Sequence, residues 1–270
     1  STSDGGFAVS DYTAINPSLG NWNDLEELSK KHILMADLVI NHVSSSHPWV
    51  IDFININKPG MTYILSPNDM SGWSNVVRPR NSSLFTPLRT NEGIKNVWTT
   101  FGPDQVDLDW SEPLLLKEFL DVIIRYYKHG VGWFRLDAVA FIWKEKGSSC
   151  LHRKEAHDIV KILKIILENL SNKNILITET NVPEEENLSY LVDGNEADLA
   201  YNFSLPPLLL ECLLSSNADL INKWLFNYPS FPTGSSLLNF SASHDGIGLR
   251  GLEGLMDDQR LHSLLVSSEE

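Results

Sequence analysis

Residues 131–139 read VGWFRLDAV, an apolar run of β-branched and aromatic residues that closes on an acid, Asp137. A run of that composition predicts a buried parallel strand. Asp137 then stands at the C-terminal end of the strand, where (β/α) barrels carry their catalytic groups. Just upstream, residues 111–129 predict a helix whose buried stripe is Leu115, Leu116, Phe119, Leu120, Ile123 and Tyr127. Ser111 suits its N-cap, Glu112 and Pro113 its first turn, and Gly130 its stop. Downstream, the pattern predicts a helix over 154–170, strands over 174–179 and 198–203, helices within 206–226 and a strand over 236–242. Farther upstream, ILMADLVI (33–40) predicts a strand, preceded by a helix over 21–32 with Trp22, Leu25 and Leu28 on one face. Alternating strands and helices imply parallel connections.

Two more acids follow comparable runs, Glu179 in ILITETN and Asp245 in SASHDG, and DLVINHVS (37–44) sets Asp37, Asn41 and His42 at another strand end. Four strand ends with one polarity are expected to converge on one mouth. The fold class is therefore read as α/β, a (β/α)8 TIM barrel. Five strands are counted where a closed barrel needs eight, so the barrel is expected to be incomplete at both ends. Residues 1–43 are assigned to its first part, from the end of the second barrel strand to the third. Residues 44–110 lose all periodicity and are assigned to an irregular insertion, a B domain after the third strand. Residues 111–270 are assigned to the fourth through seventh strands, with the eighth absent.

A formal net charge of −14 with no Lys/Arg cluster argues against nucleic acid or a membrane surface as partner. No apolar run reaches the length of a bilayer span, and STSDGGF has no signal-peptide pattern, so a cytoplasmic location is expected. Cys150 and Cys212 have no metal-ligand spacing and read as ordinary thiols. His32, His129 and His157 read as helix-surface side chains.

Cleavage of a glycosidic bond needs an acid on the leaving oxygen and a carboxylate at the anomeric carbon. Asp137 and Glu179 can supply that pair. At a separation of about 5 to 5.5 Å the carboxylate acts as a covalent nucleophile and configuration is retained. Asp245 can grip sugar hydroxyls as positive charge develops. Arg135 shares the strand face of Asp137 and can orient it, and His42 and His244 can donate to hydroxyls.

These motifs resemble those of the α-amylase superfamily, glycoside hydrolase family 13, over nearly the whole chain. SDGGFAVSDY, RPRNSSLFTPL, VWTTFGPDQVDLDW and WKEKGSSCLH are similar to the sucrose phosphorylase subfamily and its close relatives, and ETNVPEEENLSY followed by YNFSLPPLLL is similar to members acting on glucosylglycerate or sucrose 6'-phosphate. The resemblance implies Asp137 as nucleophile, Glu179 as general acid/base and Asp245 as transition-state stabiliser. It implies Arg135, His42 and His244 around the glucose, Asp4 on its far hydroxyls with Phe7 beside it, and Phe101 and Gln105 facing the site from the insertion. Arg78 and Arg80, in RPR, are candidates for phosphate or an anionic acceptor; the alternative for both is an exposed loop pair. Phe141 stands where sucrose phosphorylases often carry Tyr, which leaves the aglycone open.

Asn41 and Asp107 match positions that bind calcium in true amylases, but two oxygen donors fall far short of six to eight ligands, and no metal is expected. No cofactor is expected beyond inorganic phosphate as co-substrate, and the expected partners are a small disaccharide and phosphate. The implied reaction is retaining α-glucosyl transfer to phosphate, giving α-D-glucose 1-phosphate. Its rivals are an α-glucosidase or transglucosidase that uses water or sugar, and a sugar-binding domain without turnover.

Overall fold

The computed structural model describes residues 3–268, with side chains from Gly5 onward, and these fall into two units divided after Asn174. In the first, a short 3-10 turn (Ser3–Gly6) leads to helix α1 (Trp22–Ser29). Asn21 and Asp24 form a reciprocal capping box at its start. None of its residues is buried and Leu28 is largely exposed, so its expected apolar face does not enter the core. Strand β1 (Leu34–Val39) follows, then β2 (His42–Ser44), α2 (Pro48–Ile54) and α3 (Gly60–Tyr63).

The stretch expected to be irregular proves ordered in part. Strands β3 (Phe85–Thr90) and β4 (Gly93–Trp98) form an antiparallel hairpin, and β5 (Gln105–Asp107) pairs antiparallel with β2. Pro87 within β3 and the charges of Arg89 and Lys95 hide the strand pattern. Of the hairpin only Thr90, at its turn end, and Val97 and Trp98, at its open end, are buried.

Helix α4 (Pro113–Lys128) starts later than expected. Its N-cap is Glu112, whose carboxylate accepts from Leu114 N, while Ser111 donates to Asp109 instead. Its buried face is Leu115, Phe119, Val122 and Ile123; Leu116, Leu120 and Tyr127 are only half covered. Gly130, at φ +91°, stops the helix. Strand β6 (Val131–Asp137) pairs parallel with β1, Asp37 opposite Arg135 and Val39 opposite Asp137. Helix α5 (Lys154–Leu170) closes the unit with Ala156, Ile159, Val160, Leu163 and Leu167 inward. His129 is not a loose surface side chain: it caps α4, stacks on Trp22 at 4.5 Å and bonds Glu26 at 2.7 Å.

The second unit contains a parallel ladder, β7 (Ile175–Thr178), β8 (Leu199–Tyr201) and β9 (Ser236–Leu238), with α6 (Glu184–Leu188), α7 (Leu205–Ser215) and α8 (Asp219–Phe226) in its connections. A last helix, α9 (Asp258–Ser268), was not expected. Strand β9 is shorter than the 236–242 read from sequence: it ends at Leu238, and the next residue, Asn239, accepts from Asn202 Nδ2 through its side-chain Oδ1 at 2.8 Å. Leu208, Leu220, Ile221, Trp224, Leu252 and Leu264 form this unit's core. Parallel strands joined through helices are the pattern of a (β/α) barrel.

Candidate active site

Asp137 is the last residue of β6 and half-buried. Arg135, two residues earlier and on the same face, is buried. Its Nη1 donates to Asp137 Oδ1 at 2.9 Å and to Asp37 Oδ1 at 2.9 Å. One guanidinium nitrogen thus ties together acids from two neighbouring strands. Asp37 lies within β1 and not at its end, and its side chain is largely exposed.

His42 begins β2 and is buried. Burial lowers its pKa, opposed by the charges of Asp107 and Asp137. A neutral imidazole is the form that can both donate and accept. Phe101 lies 5.4 Å from His42 and 5.5 Å from Phe141, ring to ring. Gln105 opens β5 opposite Ser44 and is half-buried.

Asn41 and Asp107 meet as expected, through Asn41 Nδ2 and Asp107 Oδ2 at 3.1 Å. Between them stands an ammonium group that the sequence reading missed. Lys144 Nζ lies 2.6 Å from Asp107 Oδ2 and 2.9 Å from Asn41 Oδ1, with both charged side chains almost fully buried. Thr100 adds its N–H and hydroxyl to Asp107 at 2.8 and 2.6 Å. The side-chain oxygens of Asn41 and Asp107 are thus all engaged within the protein. Among the described residues no three His, Cys, Asp or Glu side chains gather to hold a metal.

Arg78 and Arg80 part company. Arg80 is exposed, whereas Arg78 is half-buried, its Nη2 3.4 Å from Ser82 Oγ and its Nε buried with no acceptor among the described residues. Burial works against its charge and Asp107 supports it. Phe7 is mostly exposed, and the side chain of Asp4 lies outside the described ones.

A second omission is Tyr12, in SDGGFAVSDY. It is buried, donates to Val39 O at 2.6 Å, and packs on Phe119 and His47. Burial, then Tyr126 and Asp137, hold its pKa well above the usual phenol value. It supports the strand end that leads into Asn41 and His42. A lone Tyr carries no sequence signal for that role.

In the second unit Glu179 follows β7 directly and is half-buried. Thr180 donates to Asn187 Oδ1 at 2.6 Å, and Asn187 Nδ2 to Tyr201 O at 2.8 Å, which fixes the loop behind Glu179. Asp245 lies seven residues beyond the end of β9, in an exposed turn, with His244 Nε2 3.3 Å from its carboxylate. The two loops meet: a Cβ on Gly248 would fall 2.5 Å from Asn181 Nδ2. Each of the three acids thus lies beyond or at the C-terminal end of its strand.

The catalytic-domain model of the α-amylase family matches residues 1–228. The chain is 40% identical, over all of its length, to the glucosylglycerate phosphorylase of Allomeiothermus silvanus and covers 49% of that protein. It is 36% identical, again over its full length, to the glucosylglycerate phosphorylase of Escherichia coli, covering 48% of it. The crystal structure of a sucrose 6F-phosphate phosphorylase from Thermoanaerobacter thermosaccharolyticum superposes with a TM-score of 0.86 at 24% identity, over 97% of this chain and 55% of that one. The chain spans about half the length of the curated relatives it matches.

Proposed function

The chain belongs to the α-amylase catalytic-domain family, and on that premise we propose that it carries the glucosyl-transferring machinery of a phosphorylase. The donor is a small α-glucoside and the acceptor inorganic phosphate, giving α-D-glucose 1-phosphate with retention. The observation that carries the reading is Arg135 holding Asp137 at 2.9 Å from the neighbouring position on its strand. A nucleophilic carboxylate needs one oxygen engaged and the other directed at the anomeric carbon.

In the first step Asp137 attacks that carbon while Glu179 gives its proton to the leaving oxygen, and a covalent glucosyl ester forms. In the second a phosphate oxygen attacks the same carbon, Glu179 takes its proton, and Asp137 leaves as carboxylate. Two inversions leave the configuration unchanged. Asp245 with His244 grips sugar hydroxyls as charge builds, and His42 and Phe101 wall the glucose. Arg78 holds the anion, since its half-buried fork with an unengaged Nε suits an oxyanion. Among donors, glucosylglycerate has the strongest support, from relatives of that name at 40% and 36% identity. Its carboxylate gives an arginine a further use.

The full-length protein, incubated with glucosylglycerate, sucrose or sucrose 6'-phosphate, is expected to form α-D-glucose 1-phosphate in proportion to phosphate, fastest from glucosylglycerate. Release of free glucose alone, at every phosphate concentration, rejects phosphate as acceptor and leaves a hydrolase. Asp137→Asn and Glu179→Gln are each expected to abolish turnover.

A further inference from the structure

Two loops of the first unit are joined at four points. Gly147 N donates to Gly72 O at 3.1 Å, and Val77 N to Ser149 O at 3.0 Å. Asn75 Nδ2 donates to Gly147 O at 3.1 Å, and Lys146 Nζ to Asp69 Oδ2 at 2.5 Å. Gly72 has φ +78°, a conformation that favours glycine, and the stem of Lys146 passes close by: a Cβ there would lie 2.6 Å from Lys146 Cε. The lysine therefore runs alongside the glycine at an exposed junction.

The two loops differ in how firmly each is held. Residues 145–149 are braced from both sides. Lys144, immediately before them, is pinned between Asp107 and Asn41. Ser148 Oγ donates to Glu145 O at 2.7 Å and accepts from Cys150 N at 3.1 Å, and Arg153 is paired with Glu145. By contrast, the segment from Leu65 to Leu84 has no helix or strand of its own. Near Arg78 it is held on one side by the bond from Val77, the residue before it, to Ser149, and on the other by Ser82, whose Oγ accepts from Arg78 and donates to Phe101 O at 3.1 Å; farther back Trp73 packs edge-on against Trp98.

We propose that residues 145–149 form a clasp that sets the position of Arg78, and that Asn75 is a positioning residue for the anionic acceptor. This rests on the reading of Arg78 given above. Asn75 acts through the backbone of Gly147 and has no need to touch the acceptor. The exposed Lys146–Asp69 pair adds little, as surface ion pairs do. Most of the coupling lies in the Asn75 amide and the two backbone bonds it aligns. The same braced arm emerges from the strand that ends on Asp137, so the nucleophile and the anion-holding arginine share one frame.

The test uses the full-length protein with Asn75→Ala, Asn75→Gln, Lys146→Ala and Arg78→Ala. Two readouts are followed: hydrogen exchange of residues 73–80, and the KM values for phosphate and donor. Asn75→Ala is expected to speed exchange at Val77 and raise the phosphate KM by about twofold to tenfold, the worth of one hydrogen bond. With sucrose, an uncharged donor, the donor KM and phosphate-independent hydrolysis stay unchanged, Asn75→Gln recovers part of the loss, and Lys146→Ala has little effect. Unaltered exchange at Val77 overturns the clasp, and an equal rise in donor KM overturns its specificity for the acceptor. If Arg78→Ala leaves the phosphate KM unchanged, the anion reading of Arg78 fails, and with it the acceptor role of Asn75. Faster Val77 exchange in Asn75→Ala alone still supports the mechanical clasp.

Discussion

Lys144 Nζ and Asp107 Oδ2 lie 2.6 Å apart with the two side chains 4% and 0% exposed, and Asn41 Oδ1 completes the ammonium's shell at 2.9 Å. An ion pair this deep is costly to form and far more costly to halve, because removing one partner leaves an uncompensated buried charge. Lys144→Met is expected to destabilise the protein by about 3 to 5 kcal/mol, read as a drop in the midpoint of thermal or urea unfolding. Because the ammonium engages the oxygens that a cation would use, excess chelator is expected to leave the wild-type midpoint where it was. A chelator-induced fall would show a metal at this position.

Arg135 serves two acids with one nitrogen, Asp37 and Asp137 each at 2.9 Å. A lysine has the charge but not the planar fork. Arg135→Lys is expected to lower kcat by about a hundredfold or more, in the range seen when an oriented polar contact in a site is lost, with a small change in donor KM. Asp37→Asn keeps the acceptor oxygen and is expected to cost less. Steady-state kinetics on purified variants decide; equal loss in both would mean that Asp37 and not Arg135 fixes the Asp137 carboxylate.

The acid limb of stability has an identifiable contributor. His47 is 4% exposed, N-caps α2 by accepting from Trp49 N at 3.1 Å, and packs on Tyr12 and Trp49. Burial pulls its pKa down to about 4, against a smaller upward pull from Asp11. The unfolded chain binds this proton first as pH falls, so the full contribution is present above about 6.5 and is lost between about 6.5 and 4. A shift of that size is worth roughly 3 kcal/mol. His42, also lowered by burial, acts in the same direction. His47→Asn keeps a capping acceptor without the titration, and urea midpoints between pH 7 and 4 are expected to fall less steeply than in the wild type. Parallel slopes would remove His47 from the account.

Legibility in the sequence followed locality. Strand 131–137 and helix 154–170 carry their own period and boundary residues, and both were placed to the residue. The hairpin at 85–98 was missed because Pro87, Arg89 and Lys95 break the alternation on strands only partly buried. Asp137, Glu179 and Asp245 stand out in the sequence because each follows an apolar run. Lys144 was not, since a lysine in WKEK looks like any surface charge until Asp107, 37 residues earlier, is folded against it. Arg78 and Arg80 look equivalent in RPR, and only the packing of the loop separates a half-buried guanidinium from an exposed one. Contacts between distant segments leave no periodic trace.

The backbone immediately after Asp137 supplies the last prediction. Ala138 sits at φ +49° and ψ +32°, a left-handed conformation that costs an L-residue about 1 to 2 kcal/mol. It is buried in a cluster with Ala140 and Phe141, against Phe101 and Leu151. This one turn stops β6 at its acid and folds Phe141 back toward Phe101 and His42. Glycine relieves the strain but adds freedom to the unfolded chain; the two effects offset, and Ala138→Gly is expected to keep both stability and turnover. Valine cannot take the same backbone without a larger penalty, and it would add two methyls to a buried cluster already holding Ala140, Phe141 and Phe101. Ala138→Val is therefore expected to lose about 2 kcal/mol or more of stability and to lower kcat further than stability alone explains, because the Asp137 carboxylate moves with the turn. Turnover measured well below the unfolding temperature separates the two effects. A valine variant with reduced midpoint but wild-type kcat would show that the left-handed turn serves packing and leaves the Asp137 carboxylate in place.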